Sequence, residues 1–397
     1  MPSIPLDAFY SRQDHIRRFL ATEAYEALII LDPHNCYYLS GFFVDVLTWE
    51  RPIALVIPRD AAPFFILNEL STHHIYMAKE QNTLAVDDTV FYTEHPSSTQ
   101  RTFTRFQWLE LLAKKLKARG IDRGVLACDI PSPMLHRLDD HLPKTRLVTE
   151  SSLLRNMRLV KDRHELEMIR PAGRLSDYGQ SVYKECLTPG QIMLAVDAEV
   201  QKEMILKGAE MFPGDRVECG VYSLTGPASA SPHGTGRDSD AVIEKGHGIV
   251  NIIIVRLNGY VVENERTWIM GNPTPTQENA FIAATAATRA ATEQMIAGNQ
   301  TSSIDAAAQA VIEAAGFGEN IFHRTGHGIG IAGHEYPDDV AFNHRPLKAG
   351  EVWSAEPGIY LYGIGGFRQD DTVIVGEEQP EIVTNWTHDL ADQIIPV

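Results

Sequence analysis

The first part of the chain alternates between helix-like and strand-like hydrophobic patterns. Short apolar runs at 27–31, 52–57, 64–67 and 124–128 are typical of buried strands. Between the third and fourth runs, apolar residues recur at helical spacing over 106–116. Alternation of this kind predicts an α/β domain in which helices cover a sheet.

The composition becomes charged and helical between residues 150 and 165. We place a domain boundary there, which predicts one domain over 1–155 and a second over 156–397. In the second domain, the runs 248–255 and 260–270 flank Asn258-Gly259. Asn-Gly between two apolar runs is the strongest short-range signal of a hairpin. Helical patterns at 276–297 and 303–315 complete the prediction of an α+β fold.

Composition excludes several classes of function. The 397 residues carry a net charge of −17, which disfavours binding to nucleic acid or to anionic membranes. No apolar run is long enough to span a membrane, and no secretory signal is recognisable, so we expect a cytoplasmic protein. With 11 lysines against 24 arginines, the acidic composition suits a cytoplasm rich in salt or organic solutes. An ordinary acidic protein is the alternative.

Histidines and acids of the second domain cluster in apolar or glycine-rich stretches. Solvated acids normally lie in polar runs, whereas acids within strand patterns need a metal ion, an arginine or a cationic ligand as partner. The candidates are His233, Glu263, Glu265, His327, His334, Glu356 and Asp370.

The order of these motifs resembles the pita-bread superfamily, which contains methionine aminopeptidase, prolidase and creatinase. The motifs are Gly326-His327-Gly328-Ile329-Gly330, His334-Glu335-Tyr336-Pro337, Glu356-Pro357-Gly358 and Arg368 with an acid two residues later. The resemblance implies an N-terminal creatinase-like α/β domain and a C-terminal pita-bread catalytic domain.

Peptidase members of this superfamily hold two metal ions on two Asp, one His and two further acids. The resemblance places those ligands at Ile252, Glu263, His327, Glu356 and Asp370. Isoleucine cannot donate to a metal ion. The expectation is therefore a site without a cofactor, and one divalent ion on the other four residues is the alternative.

Creatinase has the same fold without metal, and the resemblance to it is closer. His233 lies in the loop that matches creatinase's catalytic histidine. Glu265 and Glu356 match the two carboxylates that bind the guanidinium group. The segment Trp49-Glu50-Arg51-Pro52 resembles the one whose arginine, given by the neighbouring subunit, binds the substrate carboxylate. This implies a homodimer with shared active sites.

These matches imply roles for individual residues. His327 joins His233, Glu265 and Glu356 as a catalytic candidate. The expected substrate contacts are Arg51, Trp49, His334, Glu263 and Tyr336. For Glu265 the alternative is a structural ion pair with an arginine, and for Arg51 it is a surface salt bridge.

Creatinase uses a second carboxylate-binding arginine after the paired-histidine motif, and this sequence has none at 336–339. The expected substrate is therefore another small zwitterion with a delocalised C–N cation. Ectoine, a cyclic amidine carboxylate, fits, so we expect a creatinase-like ectoine hydrolase that opens the ring to N-acetyl-diaminobutyrate. The alternatives are a creatinase acting on creatine, a metal-dependent Xaa-Pro dipeptidase and a non-catalytic pita-bread binding protein.

Overall fold

A computed structural model describes residues 4–44, 46–93, 104–234, 240–335 and 340–397. Contacts divide these residues into two compact units, Ile4–Met157 and Arg158–Val397. Helices and strands occur in both, and each unit has its own sheet.

The helices differ widely in length, and the longest lies at the start of the second unit. They are α1 (Leu6–Glu23), α2 (Pro33–Ser40), α3 (Thr72–Glu80), α4 (Thr104–Ala118), α5 (Leu138–His141), α6 (Ser152–Leu159), α7 (Arg163–Cys186), α8 (Met193–Met211), α9 (Pro275–Glu293), α10 (Ser302–Ala314) and α11 (Leu390–Gln393). Pro171 lies inside α7, which continues to Cys186.

The strands of the first unit are β1 (Tyr25–Ile30), β2 (Ala54–Pro58), β3 (Phe64–Asn68), β4 (Asp88–Tyr92), β5 (Arg123–Cys128) and β6 (Lys144–Thr149). They form one sheet in the order β4-β3-β2-β1-β5-β6, in which β2 is antiparallel to both neighbours. Trp108 and Leu112 of α4 pack into the same core as Ile29 and Leu126. The predicted alternation of strands and helix is confirmed here.

The strands of the second unit are β7 (Val217–Thr225), β8 (Gly248–Leu257), β9 (Tyr260–Met270), β10 (Val352–Ala355), β11 (Gly358–Leu361), β12 (Gly365–Arg368), β13 (Asp370–Ile374), β14 (Glu381–Ile382) and β15 (Ile394–Ile395). The main sheet runs β10-β13-β9-β8-β7, and β11 pairs with β12. The predicted hairpin is β8–β9. Asn258 and Gly259 have φ values of 47° and 85°, which suit a type I′ turn.

Strand register places four side chains in one row across the main sheet. Tyr222 of β7 is opposite Ile252, Ile252 is opposite Glu265, and Glu265 is opposite Asp370 of β13. Directly opposite residues share a face of the sheet. The row therefore brings two acids together beside an apolar and an aromatic side chain.

Among the described residues, helices long enough to cross a bilayer carry too many polar side chains to do so.

Candidate metal centre and active site

Three carboxylates meet at the end of the row. Glu265 and Asp370 come from β9 and β13, while Glu356 follows β10 and is anchored by its amide, which donates to the Thr325 carbonyl at 2.6 Å. One oxygen from each acid lies within 4.8 Å of the others. Burial and the neighbouring acids raise the pKa of Glu356 to about 7 and that of Asp370 well above its usual range. The cluster is thus short of positive charge.

His327 borders this cluster because its glycine-rich loop lies directly against β10. A side chain at Gly326 would meet the Ser354 carbonyl at 2.0 Å, so only glycine fits there. The Ser354 hydroxyl accepts the His327 amide at 3.0 Å. The ring Nε2 lies 3.3 Å from Glu263 Oε2 and 3.5 Å from Glu356 Oε1.

The pKa of His327 reflects the excess of negative charge around its ring. Its Nδ1 lies 3.2 Å from the Gly328 carbonyl and donates to it, so the neutral ring has its lone pair on Nε2, towards the acids. Despite burial, Glu263 and Glu356 raise the pKa of His327 to about 9. A proton is held where a metal ion could bind.

Arg368 is a functional residue that the sequence analysis used only as a motif marker. Its Nε and Nη2 donate to both oxygens of Glu265, the second at 3.1 Å, and its Nη1 donates to Tyr360 Oη at 2.9 Å and to the Pro232 carbonyl at 3.0 Å. The signal was present, because an acid inside an apolar strand needs a partner. Glu265 has that partner in the structure.

The loop that carries His233 joins the site through its backbone. Arg368 bonds the carbonyl of Pro232, and the Tyr222 hydroxyl donates to the carbonyl of His233 at 2.7 Å. The His233 side chain is exposed. His334 is also exposed, and its ring stacks on His327 with centroids 3.6 Å apart. The structure thus brings His233, Glu263, Glu265, His327, His334 and Glu356 into one region.

Three further predicted substrate contacts belong to other parts of the sequence. Arg51 and Trp49 belong to the Ile4–Met157 unit. There Arg51 pairs with Glu50 at 2.5 Å, and Trp49, 66 % exposed, lines a cavity of about 490 Å³. Tyr336 lies outside the described residues. The roles of these three residues stay predictions.

The donor set fits a divalent metal ion. Glu356 and Asp370 belong to the cluster, and the Nε2 of His327 lies between Glu356 and Glu263. These four residues are oxygen and imidazole donors of the kinds that such ions bind. Asp370 Oδ2 is fully buried and has no hydrogen-bond partner among the described residues. Ile252 adds no donor to the row, so the side chains suit one ion better than two.

The structure thus defines a two-domain protein with a candidate metal centre in its second unit. Residues 167–377 match the metallopeptidase family M24, and residues 12–160 match the creatinase/prolidase N-terminal domain. The chain belongs to family M24. The predicted superfamily and the predicted α+β architecture of two such domains are confirmed.

Similar proteins cover nearly the whole chain. The Xaa-Pro dipeptidase of Pyrococcus furiosus is 26 % identical over 96 % of this chain and 99 % of its own. The crystal structure of dipeptidase PepE from Mycobacterium ulcerans has a TM-score of 0.81 and 28 % identity, covering 99 % of this chain and 100 % of that one. The prolidase of Pyrococcus horikoshii, at 24 % identity, a TM-score of 0.80 and coverage of 96 % and 99 %, shows the same fold.

One expectation needs correction. We predicted a site without a cofactor because Ile252 replaces one ligand, and that prediction was wrong. The chain belongs to a metallopeptidase family, and Glu265, Glu356 and Asp370 form a carboxylate cluster that could hold an ion. The physical reason is that one lost donor leaves four donors in place, which is enough for a single ion.

Proposed function

We propose that the protein is a metal-dependent hydrolase that cleaves the C–N bond of a small peptide, with an Xaa-Pro dipeptide as its substrate class. The observation that carries this proposal is the buried, cation-deficient carboxylate cluster beside His327. Full-length similarity to an Xaa-Pro dipeptidase supports the substrate class.

Each residue then has a chemical task. Glu263, His327, Glu356 and Asp370 would hold one divalent ion, which when bound polarises the scissile carbonyl and makes water a better nucleophile. Both oxygens of Glu265 accept hydrogen bonds from Arg368. We therefore assign Glu265 the task of holding the Arg368 guanidinium in place next to the ion.

Two further tasks concern proton transfer and substrate binding. His233, exposed at the site, moves a proton to the leaving nitrogen. Arg51 of a second copy binds the substrate carboxylate, which makes the protein a homodimer.

Metal removal tests the proposal. Chelator-treated protein should not hydrolyse an Xaa-Pro dipeptide, and manganese, cobalt or zinc should restore hydrolysis. His327→Ala should prevent restoration, whereas the matched variant His74→Ala, in an exposed position on α3, should behave as wild type. Full hydrolysis by protein shown to be metal-free would overturn the proposal.

A second candidate is hydrolysis of a cyclic amidine carboxylate such as ectoine. The observation that favours it is Ile252, which removes one metal donor from the row, although Glu265 would have to exchange its partner Arg368 for the amidinium. Ile252, beside Glu265 in the row, offers an apolar floor for a ring.

One experiment separates the two candidates. Metal-loaded protein is incubated with ectoine, creatine and an Xaa-Pro dipeptide, and the products are identified by mass spectrometry. Cleavage of the dipeptide alone excludes the amidine candidate, and cleavage of ectoine alone excludes the dipeptidase.

A further inference from the structure

Arg324 contacts two histidines, one on each side of His327 in the sequence. Its Nη2 lies 3.1 Å from His334 Nδ1, and its backbone carbonyl lies 2.7 Å from His323 Nδ1. A guanidinium group has donors and no acceptor, so His334 Nδ1 must accept. A neutral imidazole that accepts at Nδ1 carries its proton on Nε2.

His323 has the opposite arrangement. A carbonyl oxygen can only accept, so His323 Nδ1 carries the proton. Its Nε2 then accepts from the Tyr360 hydroxyl at 2.6 Å, while Arg368 donates to the same hydroxyl at 2.9 Å. Burial and the nearby charge of Arg368 lower the pKa of His323 to about 4, which keeps this ring neutral at pH 7.

Neighbouring groups fix the position of the His334 ring as well as the ring nitrogen that carries its proton. The His334 ring lies nearly parallel to that of His327, with an interplanar angle of 13°. The next residue, Glu335, is buried, and its Oε1 accepts from the amides of Ile331 and Ala332 at 2.9 and 3.3 Å. These bonds hold the turn from which His334 projects.

We propose that Arg324 is a positioning residue that fixes the proton of His334 on Nε2, so that His334 offers an N–H donor to a carbonyl or carboxylate oxygen of the substrate. His323 keeps its proton on Nδ1, and the two histidines flanking His327 thus carry opposite tautomers. The part of this inference that concerns the substrate rests on the proposed function, and the part that concerns the tautomers does not.

Nitrogen-15 NMR of histidine-labelled, metal-free protein tests the tautomers directly. The spectra are recorded at about pH 8, above the ordinary pKa of histidine, and His334 is assigned from its missing signals in His334→Asn. Wild type and Arg324→Lys, which keeps a donor, should show the proton on Nε2. Arg324→Met, which has none, should shift both ring-nitrogen signals of His334 towards a mixture of tautomers.

Two controls accompany the spectra. Arg174→Met, at an exposed position on α7, should leave the His334 signals unchanged. His323 should keep its tautomer in Arg324→Met, because its partner there is a backbone carbonyl. A wild-type His334 with its proton on Nδ1, or His334 signals that do not move in Arg324→Met, would overturn the inference.

Kinetics of dipeptide hydrolysis test the link to the substrate. Arg324→Met should lower kcat/KM about tenfold, the size of one hydrogen bond, and Arg324→Lys should recover most of it. Equal losses in both variants would contradict the link. The NMR result stands if no dipeptide is hydrolysed, so failure of the proposed function is distinguishable from failure of this inference.

Discussion

Two glutamates of the second unit, the buried Glu335 and the half-buried Glu356, have opposite electrostatic surroundings. Glu335 accepts from Arg158 at 2.6 Å and from Lys161 at 3.2 Å, and these cations hold its pKa at about 2 despite burial. Glu356 lies among other acids, and burial raises its pKa to about 7. Burial alone therefore does not decide the charge of a carboxylate; the number of nearby cations does.

The same contrast recurs between neighbouring residues of one strand. Asp371 faces Arg266 at 2.8 Å and His388 at 2.9 Å, and its pKa is far below the usual range. Asp370, on the opposite face, has its pKa raised by burial and by the acids around it. Acids neutralised by the chain hold the fold together, whereas acids without enough cations mark the place where a ligand cation would bind.

The largest effect should come from breaking the neutralised cluster. Glu335→Gln leaves the buried Lys161 and the half-buried Arg158 with no carboxylate between them, and loss of one partner of a buried pair costs about 3–5 kcal/mol. Urea unfolding should show this loss. The control is Glu381→Gln, whose surface pair with Arg170 should be worth at most about 1 kcal/mol. Similar midpoints for the two variants would contradict the contrast.

Removing an acid from the cation-deficient cluster should instead affect metal binding. Loss of a residue that only supports a ligand commonly costs 10–100-fold in metal affinity, so Glu356→Gln should cost more than about 100-fold. Calorimetric titration of the metal-free protein measures this. At about pH 4.5, where folded wild type keeps the proton of Glu356, urea unfolding of metal-free Glu356→Gln should stay near wild type. An unchanged affinity would show that Glu356 is not a ligand.

Sequence alone was sufficient to predict those features of the second unit that depend on neighbouring residues. The hairpin β8–β9 followed from Asn258-Gly259, since turn chemistry acts over a few residues. Acids inside apolar strands pointed to Glu263 and Glu265 for a similar reason, because their surroundings are visible in the sequence.

The partners of the acids in the second unit could not be predicted from sequence. Glu335 lies 174 residues from Lys161, and Glu265 lies 103 residues from Arg368. Charge pairing over such distances depends on the packed fold, and many arginines in the sequence could serve equally well. The wrong prediction of a site without a cofactor had the same origin: it weighed one absent ligand, Ile252, without knowing how close the remaining acids lie.

The pH dependence of metal-free stability should separate the two glutamates. Between the usual value of 4.5 and about 7, folded protein keeps a proton on Glu356 that the unfolded chain releases. The free energy of unfolding should therefore fall by about 3 kcal/mol as the pH rises through this range. Glu335 acts oppositely. Its pKa of about 2 means that the unfolded chain takes up the proton first, so stability is lost as pH falls below 4.5.

Urea midpoints over a pH series measure both slopes. The fall between pH 4.5 and 7 should vanish in Glu356→Gln and persist in Glu381→Gln. It should also vanish when metal is added, because a bound cation takes the place of the protons. If the stability of the metal-free protein rose between pH 4.5 and 7, the claim that the acids around Glu356 lack enough cations would be contradicted.

The smallest effect should be a gain in stability. Asp370 is fully buried, and its Oδ1 accepts from the Ala355 amide at 3.1 Å. One of its oxygens lies within 4.8 Å of an oxygen of Glu265 and of Glu356, and among the described residues its Oδ2 has no hydrogen-bond partner. Asp370→Asn replaces a carboxyl group that is costly to ionise here and places an amide donor beside two carboxylate acceptors. Metal-free Asp370→Asn should therefore be more stable than wild type by about 1 kcal/mol, the net value of one hydrogen bond.

The same substitution should weaken metal binding, because an amide oxygen donates less charge than a carboxylate. A substitution that raises the stability of the metal-free protein and lowers its affinity for metal marks a binding site, whereas one that only lowers stability marks a structural cluster. The matched variant is Asp371→Asn on the neutralised face, which leaves Arg266 without its carboxylate and should be destabilising with or without metal. If both variants lost stability equally in metal-free protein, the acids around Glu356 would already be neutralised, and the argument for a cation at this site would fail.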